Sequence, residues 1–545
     1  MDHNSTLTPQ HANIENSNNN RFQWVSSIGN GIQTLIIWGA IVFFAGTGLL
    51  SLLITTTMPE YTYKVYFDTG NWWLVLIASL ICILVLALLD HASILQKINT
   101  RILSSILAWY AVLFGAAWAL IANVWPEWDP LYVLKAAQFA RKADLVITCP
   151  GDEVSWILCP GGYLERFPYQ IPLVFFDKIL IFIFGDQAYL AFELINALCV
   201  AAIFVLVGKL ADAIFSNARY TNASLLLCFA FLPLIFYVTF AYGNMLSLPF
   251  ALTALLLQIK YFKNHKIIYA IGAVIFVLVG ILFKSTMIYV LAAMIVVWFV
   301  EALREKKLKN ILCIIISLAL YPSVGLVTSA TAHYFDLNPN IGEPKTVWIA
   351  MGLQKPSAAM PNNYGWYNGY PLKWTPEEYN LDQIEKESKS SIKESLQYFF
   401  DNPKYAWTFF SQKFISEWTD PLYESLLASN WASPGTGRPI MKERSLTHVQ
   451  SFIYNGKGRD IILTITDILQ LLLLFGTVIS LFDNRKSIRT TSLNLAIIPV
   501  GMALLYLIWE AQSQYIMPAY VMMIPYAGNG LLIFGNKFVS FFLKK

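Results

Sequence analysis

Charge is what this 545-residue chain has least of: Asp, Glu, Lys and Arg make up 13% of it, against 56% hydrophobic residues. A soluble fold this apolar cannot cover its own core with polar side chains, so the composition excludes an ordinary soluble protein and belongs to the membrane class. Cysteine is scarce too, six in all, with no C-x-x-C pair and no histidine cluster, which excludes the usual zinc frameworks. Acidic pairs at metal-ligand spacing are missing, so catalysis without a metal or other cofactor is the expectation. No nucleic-acid partner is expected either. A repeat of 20–50 residues is absent, and the two halves of the chain do not match, as they often do in carriers built from internal repeats.

Long apolar runs are what the chain has in abundance. A helix needs roughly 20 apolar residues to cross the hydrocarbon. Runs of that kind lie near 31–56, 73–90, 103–123, 188–209, 221–240, 244–261, 267–283, 287–303, 310–332, 460–482, 490–509 and 515–536. The fold class expected is therefore an all-α polytopic membrane protein of about 12 transmembrane helices. The first run exceeds the ~7–15 residues of a signal-peptide core, so it reads as a retained span. Residues 1–22 are polar and Asn-rich and are expected to be a disordered tail.

Lys and Arg alternate along the junctions. Lys97 and Arg101; Lys209 and Arg219; Lys260, Lys263 and Lys266; Arg304, Lys306, Lys307 and Lys309; Arg485, Lys486 and Arg489; and Lys537, Lys544 and Lys545 mark every second one. The junctions between hold Lys64 and Lys284, and nothing positive at 241–243 or 510–514. By the positive-inside rule both termini are cytoplasmic. Two long loops, 124–187 and 333–459, then lie on the outer face. The organisation expected is a tail at 1–22, two N-terminal spans within 23–102, a membrane core at 103–332 that includes the first loop, a lid-like loop at 333–459, and three spans with a basic tail at 460–545.

The loops are too long and too rich in Trp and Tyr to be plain connectors. The first opens Trp125-Pro126-Glu127-Trp128-Asp129-Pro130. Taken locally, Asp129 before Pro130 is a good helix start, with Asp at N-cap and Pro at N1. Cys149 and Cys159 lie close together farther on; an outer compartment permits a disulfide, and two free thiols fit equally well. Residues 172–185 are apolar but carry Asp177 and Lys178, which suits an interfacial helix. In the second loop, Trp366 and Tyr367 belong to an aromatic, Asn-rich stretch that suits sugar contact or interfacial anchoring. Residues 380–400 have a helical apolar face (Leu381, Ile384, Ile392, Leu396, Phe399), and Pro403 separates them from a second helix reaching about Trp418.

An acidic residue beyond the outer end of a span, interfacial helices, and the segment Tyr163-x-Glu165-Arg166-Phe167-Pro168-Tyr169-Gln170 together resemble the GT-C class of membrane glycosyltransferases. More narrowly, the chain resembles the bacterial branch that holds protein O-mannosyltransferases and lipid A aminoarabinose transferases. Lys284-Ser285-Thr286 resembles the Lys-bearing outer turn of these enzymes. Glu510-Ala511-Gln512-Ser513-Gln514-Tyr515-Ile516-Met517-Pro518 resembles a Glu–x–x–x–Arg–Tyr–x–x–Pro segment, and Lys413 to Trp418 a helix leading back to the membrane. The chain departs from the branch at two places: Pro130 follows Asp129 where O-mannosyltransferases carry a second acid, and Gln514 stands where Arg is frequent.

The resemblance implies an inverting transfer of a sugar from a polyprenyl-phosphate donor to an envelope glycan, lipid or protein acceptor, in the cell membrane and at its outer face. It implies Asp129 as the base. Arg166, Lys284, Lys413, Gln514 and Tyr515 would surround the donor phosphate, and Glu127, Tyr163, Glu165, Trp366, Tyr367 and Glu510 would surround sugar and acceptor. The residues alone also point to Lys284, because a charge between two apolar runs is costly and such residues serve function or snorkel to headgroups. A dozen spans with both ends inside is also a common plan for secondary transporters. A polysaccharide polymerase or flippase is the third class. The long loops, the missing central cytoplasmic loop and the near absence of acids within spans weigh against a transporter.

Overall fold

The computed structural model describes residues 9–59, 63–122, 124, 126–140, 153–376, 378–427, 448–454 and 456–543. Among these the chain is an all-α polytopic membrane protein. Its longer helices are α1 (Pro9–Leu53), α2 (Trp72–His91), α3 (Thr100–Ala122), α4 (Trp128–Phe139), α5 (Ile171–Phe184), α6 (Ala188–Phe215), α7 (Ala218–Ala230), α8 (Gly243–Asn264), α9 (Ile267–Phe283) and α10 (Ile288–Glu305). They continue as α11 (Leu308–Leu320), α12 (Pro322–Tyr334), α13 (Lys345–Leu353), α14 (Leu381–Asp401), α15 (Pro403–Trp418), α16 (Lys457–Asn484), α17 (Asn494–Tyr506) and α18 (Met517–Leu543).

Nine helices among the described residues are long and apolar enough to cross a membrane, and a tenth arises if α7 and the bent segment Leu232–Thr239 form one span. The shorter apolar helices α9 and α17 account for the remaining predicted runs. Residues Pro168–Phe215 form a 48-residue apolar stretch, longer than one crossing, and Gly185, in the left-handed region, divides it into α5 and α6. Helix α1 begins at Pro9, so it extends back through much of the polar stretch expected to be unstructured; lengthening an existing helix needs no new nucleus.

Helix α18 is the central post of the bundle. It packs against α16, α7 and α2. Two of these contacts are backbone to backbone: a Cβ on Gly530 would collide with the Gly476 carbonyl, and one on Gly528 with Ser224. Small residues allow such approach where no hydrophobic force pulls helices together in lipid. At one end of the bundle, Arg219 pairs with Asp90 at 3.3 Å, and Asn536 donates to the same Asp90 carboxylate at 2.6 Å.

The two long loop regions meet at the opposite end. The Glu343 amide donates to the Arg166 carbonyl at 2.9 Å, and the Asn338 amide to Glu165 at 2.7 Å. A short antiparallel hairpin, β1 (Thr55–Thr57) with β2 (Tyr66–Asp68), joins α1 and α2 and reaches the second loop. Thr56 donates its amide to the Thr419 carbonyl at 2.9 Å, and Asn363 accepts from the Val65 amide at 3.1 Å. The N-terminal helices are thereby tied to the loop rather than hanging beside the bundle.

Candidate active site

Asp129 sits in the first turn of α4, where a carboxylate faces the favourable end of the helix dipole. The residue before it, Trp128, has φ +55°, a left-handed conformation that costs a bulky side chain energy. The N-cap is Glu127, not Asp129, so the Asp129 side chain is not turned back onto its own helix. It instead accepts from two phenols: Tyr163 Oη on Oδ1 at 2.6 Å and Tyr242 Oη on Oδ2 at 3.4 Å. Gln170 Nε2 in turn donates to the Tyr242 hydroxyl, and Tyr163 is held edge-on between Tyr132 and Phe167. Burial raises the Asp129 pKa, against the lowering effect of Tyr163, Lys284 and Tyr242.

Lys284 ends α9 in extended conformation and faces the same spot. Its approach depends on Gly243, where a Cβ would stand 1.9 Å from the Phe283 carbonyl and 3.5 Å from Lys284 Cβ. The ammonium lies 4.2 Å from the centre of the Tyr242 ring and 5.8 Å from that of Tyr515. Burial draws its pKa down to about 8, while Asp129 and Glu510 act in the opposite sense. Tyr515 donates to Glu510 Oε2 at 3.0 Å and stacks on Tyr506, ring centres 5.4 Å apart. Burial pushes Glu510 up to about 8; the Tyr515 hydrogen bond, Lys413 and Lys284 oppose this, and Asp129 adds to it. The structure thus brings Asp129, Tyr163, Lys284, Glu510 and Tyr515 into one electrostatic cluster at the loop end of the bundle.

Other residues singled out from the sequence are held in the walls. Arg166 is 1% exposed; it donates to the carbonyls of Gly161 at 2.6 Å and Pro371 at 3.4 Å and lies 4.2 Å over the Tyr379 ring. Glu165 accepts from the amides of Gly161 and Asn338. Lys413 Nζ donates to three carbonyls, Gly352 and Trp509 at 2.6 Å and Leu507 at 3.2 Å. Trp366 is buried, bonds Ser416 Oγ at 2.8 Å and bridges to Ala511. Gln514 is bound to Glu424 and Gln512. Glu127 is buried, and Tyr367 is 41% exposed.

Sequence reasoning assigned no role to Tyr242, Gln170, Tyr169 and Glu343. Tyr169 and Tyr367 each feel the charges of Asp129, Glu510 and Glu343, so these groups lie near one another. Glu343 is raised by burial to about 8, with Arg166 opposing. Tyr242 lies in a loop-side junction without a basic residue, a setting that was on view but carried no motif. Cys159 is disulfide-bonded; Cys149 lies outside the described residues. Among the described residues no group of three or more His, Cys, Asp or Glu is arranged to hold a metal ion.

No family model matches the chain, and no curated protein matches it significantly. Among solved structures the chain is similar to the archaeal oligosaccharyltransferase AglB from Archaeoglobus fulgidus in complex with an inhibitory peptide and a dolichol-phosphate, at 14% identity and a TM-score of 0.39, covering 81% of this chain and 51% of that one. It is also similar to the Archaeoglobus fulgidus oligosaccharyltransferase in the apo form, at 14% identity and a TM-score of 0.40, covering 82% and 52%. The chain spans about half the length of both proteins.

Proposed function

We propose that the chain is a GT-C-like membrane glycosyltransferase. It moves a sugar from a polyprenyl-phosphate carrier to a cell-envelope acceptor at the outer face, with inversion. The observation that carries this reading is a carboxylate held by two phenols, Asp129, facing a lysine, Lys284, whose ammonium makes no hydrogen bond among the described residues. A base and a free cation on the loop side are what transfer from a lipid-borne phosphate requires.

In the proposed step the acceptor hydroxyl attacks the anomeric carbon as its proton passes to Asp129. The bond from that carbon to the phosphate oxygen breaks, and the electron pair leaves with the polyprenyl phosphate. Lys284 meets the charge that develops there. Tyr163 and Tyr242 orient the carboxylate. Tyr169 and Tyr367, 39% and 41% exposed, offer ring faces for the sugar. Glu510 holds Tyr515 beside the lysine. Arg166, Lys413, Glu165, Trp366 and Gln514 act by positioning these groups.

The test begins with lipid-linked sugars that accumulate when the gene is deleted, identified by mass spectrometry. Purified protein in nanodiscs is then given that lipid-linked sugar and envelope extract. Asp129→Asn should slow transfer by roughly 10²–10⁴-fold, the usual contribution of a general base, with the melting temperature retained. Full transfer by the folded Asn variant rules out this role for Asp129.

A further inference from the structure

Two large apolar side chains outside the spanning helices stand almost free: Phe400 at the end of α14 is 81% exposed, and Trp407 near the start of α15 is 78% exposed. Such exposure is ordinary on a lipid-facing helix and costly in water. Leu396, one turn before Phe400, is 53% exposed, although it lies on the face that sequence periodicity directs inward. The exposed lysines Lys393 and Lys404 border this patch.

The depth of the patch follows from α15. Its C-terminal end packs into the bundle, with the Trp418 and Phe414 rings edge-on to Phe43, at 5.0 and 6.1 Å between centres. That end is fastened at the loop-side end of α1: the Thr419 carbonyl accepts from the Thr56 amide at 2.9 Å, and the Ile415 carbonyl from the Thr56 hydroxyl at 3.2 Å. Six residues before Thr419, Lys413 Nζ meets the Leu507 and Trp509 carbonyls just beyond the end of α17. Both ties lie at the loop-side ends of apolar helices, so α15 runs along that boundary rather than away from it. Trp407, six residues before Lys413 and about 9 Å of helix from it, stays near the same level. Phe400 stays at that corner, because its neighbour Phe399 packs on Phe409 and Phe410 at 4.9 and 5.1 Å.

We infer that the α14–α15 corner is an interfacial anchor: Phe400 and Trp407 insert at the boundary between headgroups and acyl chains of the leaflet on the loop side, with Lys393 and Lys404 among the headgroup phosphates. Aromatic side chains with a lysine rim are suited to that boundary. The occupant is phospholipid, not a second copy of the chain, because the ties of Thr419 to Thr56 and of Lys413 to Leu507 and Trp509 hold α15 at the loop-side ends of the spans and bring the corner to the bilayer edge. The anchor stands independently of the transfer chemistry. It also bears on the loop, since α15 carries Lys413 six residues beyond Trp407, and Lys413 ties down the backbone just before Glu510 through the Leu507 and Trp509 carbonyls.

The test introduces the photocrosslinker benzoylphenylalanine, one position at a time, at 407, 400, 35 and 389, in the full chain reconstituted in phospholipid nanodiscs. Leu35 is 73% exposed on the apolar face of α1 and reports lipid. Lys389 sits on α14, paired with Glu385, and reports water. Because Phe400 and Trp407 pack against little, these variants should keep the parent melting temperature. Irradiation should give phospholipid adducts at 407 and 400 in yields comparable with 35 and far above 389. Yields no higher than at 389, or crosslinked dimers in place of lipid adducts, would overturn the anchor.

Discussion

Lys284 and Lys413 are both lysines near the loop end of the bundle, and burial draws both below the ordinary ammonium range, to about 8 and about 7. Their surroundings differ in kind. Lys413 spends three hydrogens on three carbonyls, and only the protonated amine can serve all three. Those carbonyls come from Gly352, Leu507 and Trp509, so one side chain fastens α15 to the end of α13 and to the segment that presents Glu510. The packing is close: Gly365 leaves no room for a Cβ beside Lys413 Nζ, and Gly352 none beside Trp509. Lys284 touches ring faces and faces carboxylates across a gap. On the proposed reading, what separates a holding charge from a working one is where its hydrogens go, and not its residue type or its depth.

That difference predicts opposite phenotypes. The larger effect belongs to Lys413→Met. It strands three buried carbonyls, each costing about 1–3 kcal/mol when unpaired, so the melting temperature should fall steeply and activity should fall with the folded fraction. Lys284→Met should do the reverse. Removing a desolvated ammonium that makes no hydrogen bond among the described residues should leave the melting temperature equal or higher, while transfer drops by about 10²–10³-fold, the scale for losing a group that meets developing charge. Thermal melts and transfer rates on both variants check the pair. Equal loss of stability in the two would erase the distinction. Tyr163→Phe comes next. It removes the 2.6 Å hydrogen bond to Asp129, and a bond to a charged group is worth about 1.5–3 kcal/mol, so activity at neutral pH should fall about tenfold or more and recover in part at higher pH.

The spans were legible because apolar runs near the length of a bilayer crossing leave little choice of structure. The corner at Asn402-Pro403 was equally plain: the structure ends α14 at Asp401 and begins α15 at Pro403. The hairpin was not, since Thr55 and Thr56 continue an apolar run and only their partners Asp68 and Phe67 turn them into a strand. In the candidate site, the residues that meet (Asp129, Lys284, Glu510, Tyr515) all stand at or just beyond helix ends facing the loops, which charge alternation could locate. The fates of Arg166 and Lys413 lay beyond such reading. Their acceptors, Pro371 and Trp509, are 205 and 96 residues away in the chain. Local pattern names a cation but not the carbonyls that will occupy it. Tyr242 escaped for the converse reason, since one tyrosine between two spans looks like any interfacial aromatic.

The smallest effect expected is a shift along the pH axis, and it tests the pairing most directly. Transfer as proposed needs Asp129 ionised and Lys284 protonated. Burial raises Asp129, so the acid limb of kcat/KM should lie above the ordinary carboxylate range. Burial lowers Lys284 to about 8, so the alkaline limb should fall near there. Lys284→Arg keeps a cation whose own proton leaves only above about 12; the alkaline limb should therefore move up or vanish, while the rate at neutral pH falls modestly. Glu510→Gln should act in the opposite direction. The Glu510 carboxylate supports the ammonium of Lys284, so its loss lets Lys284 release its proton earlier and moves the alkaline limb down. Rates measured from pH 5 to 10 on the parent and both variants, at low concentrations of both lipid-linked sugar and acceptor so that the free enzyme is sampled, distinguish these shifts. An alkaline limb that stays near 8 in Lys284→Arg would assign that titration to another group, with Glu510 the first candidate because it too lies at about 8.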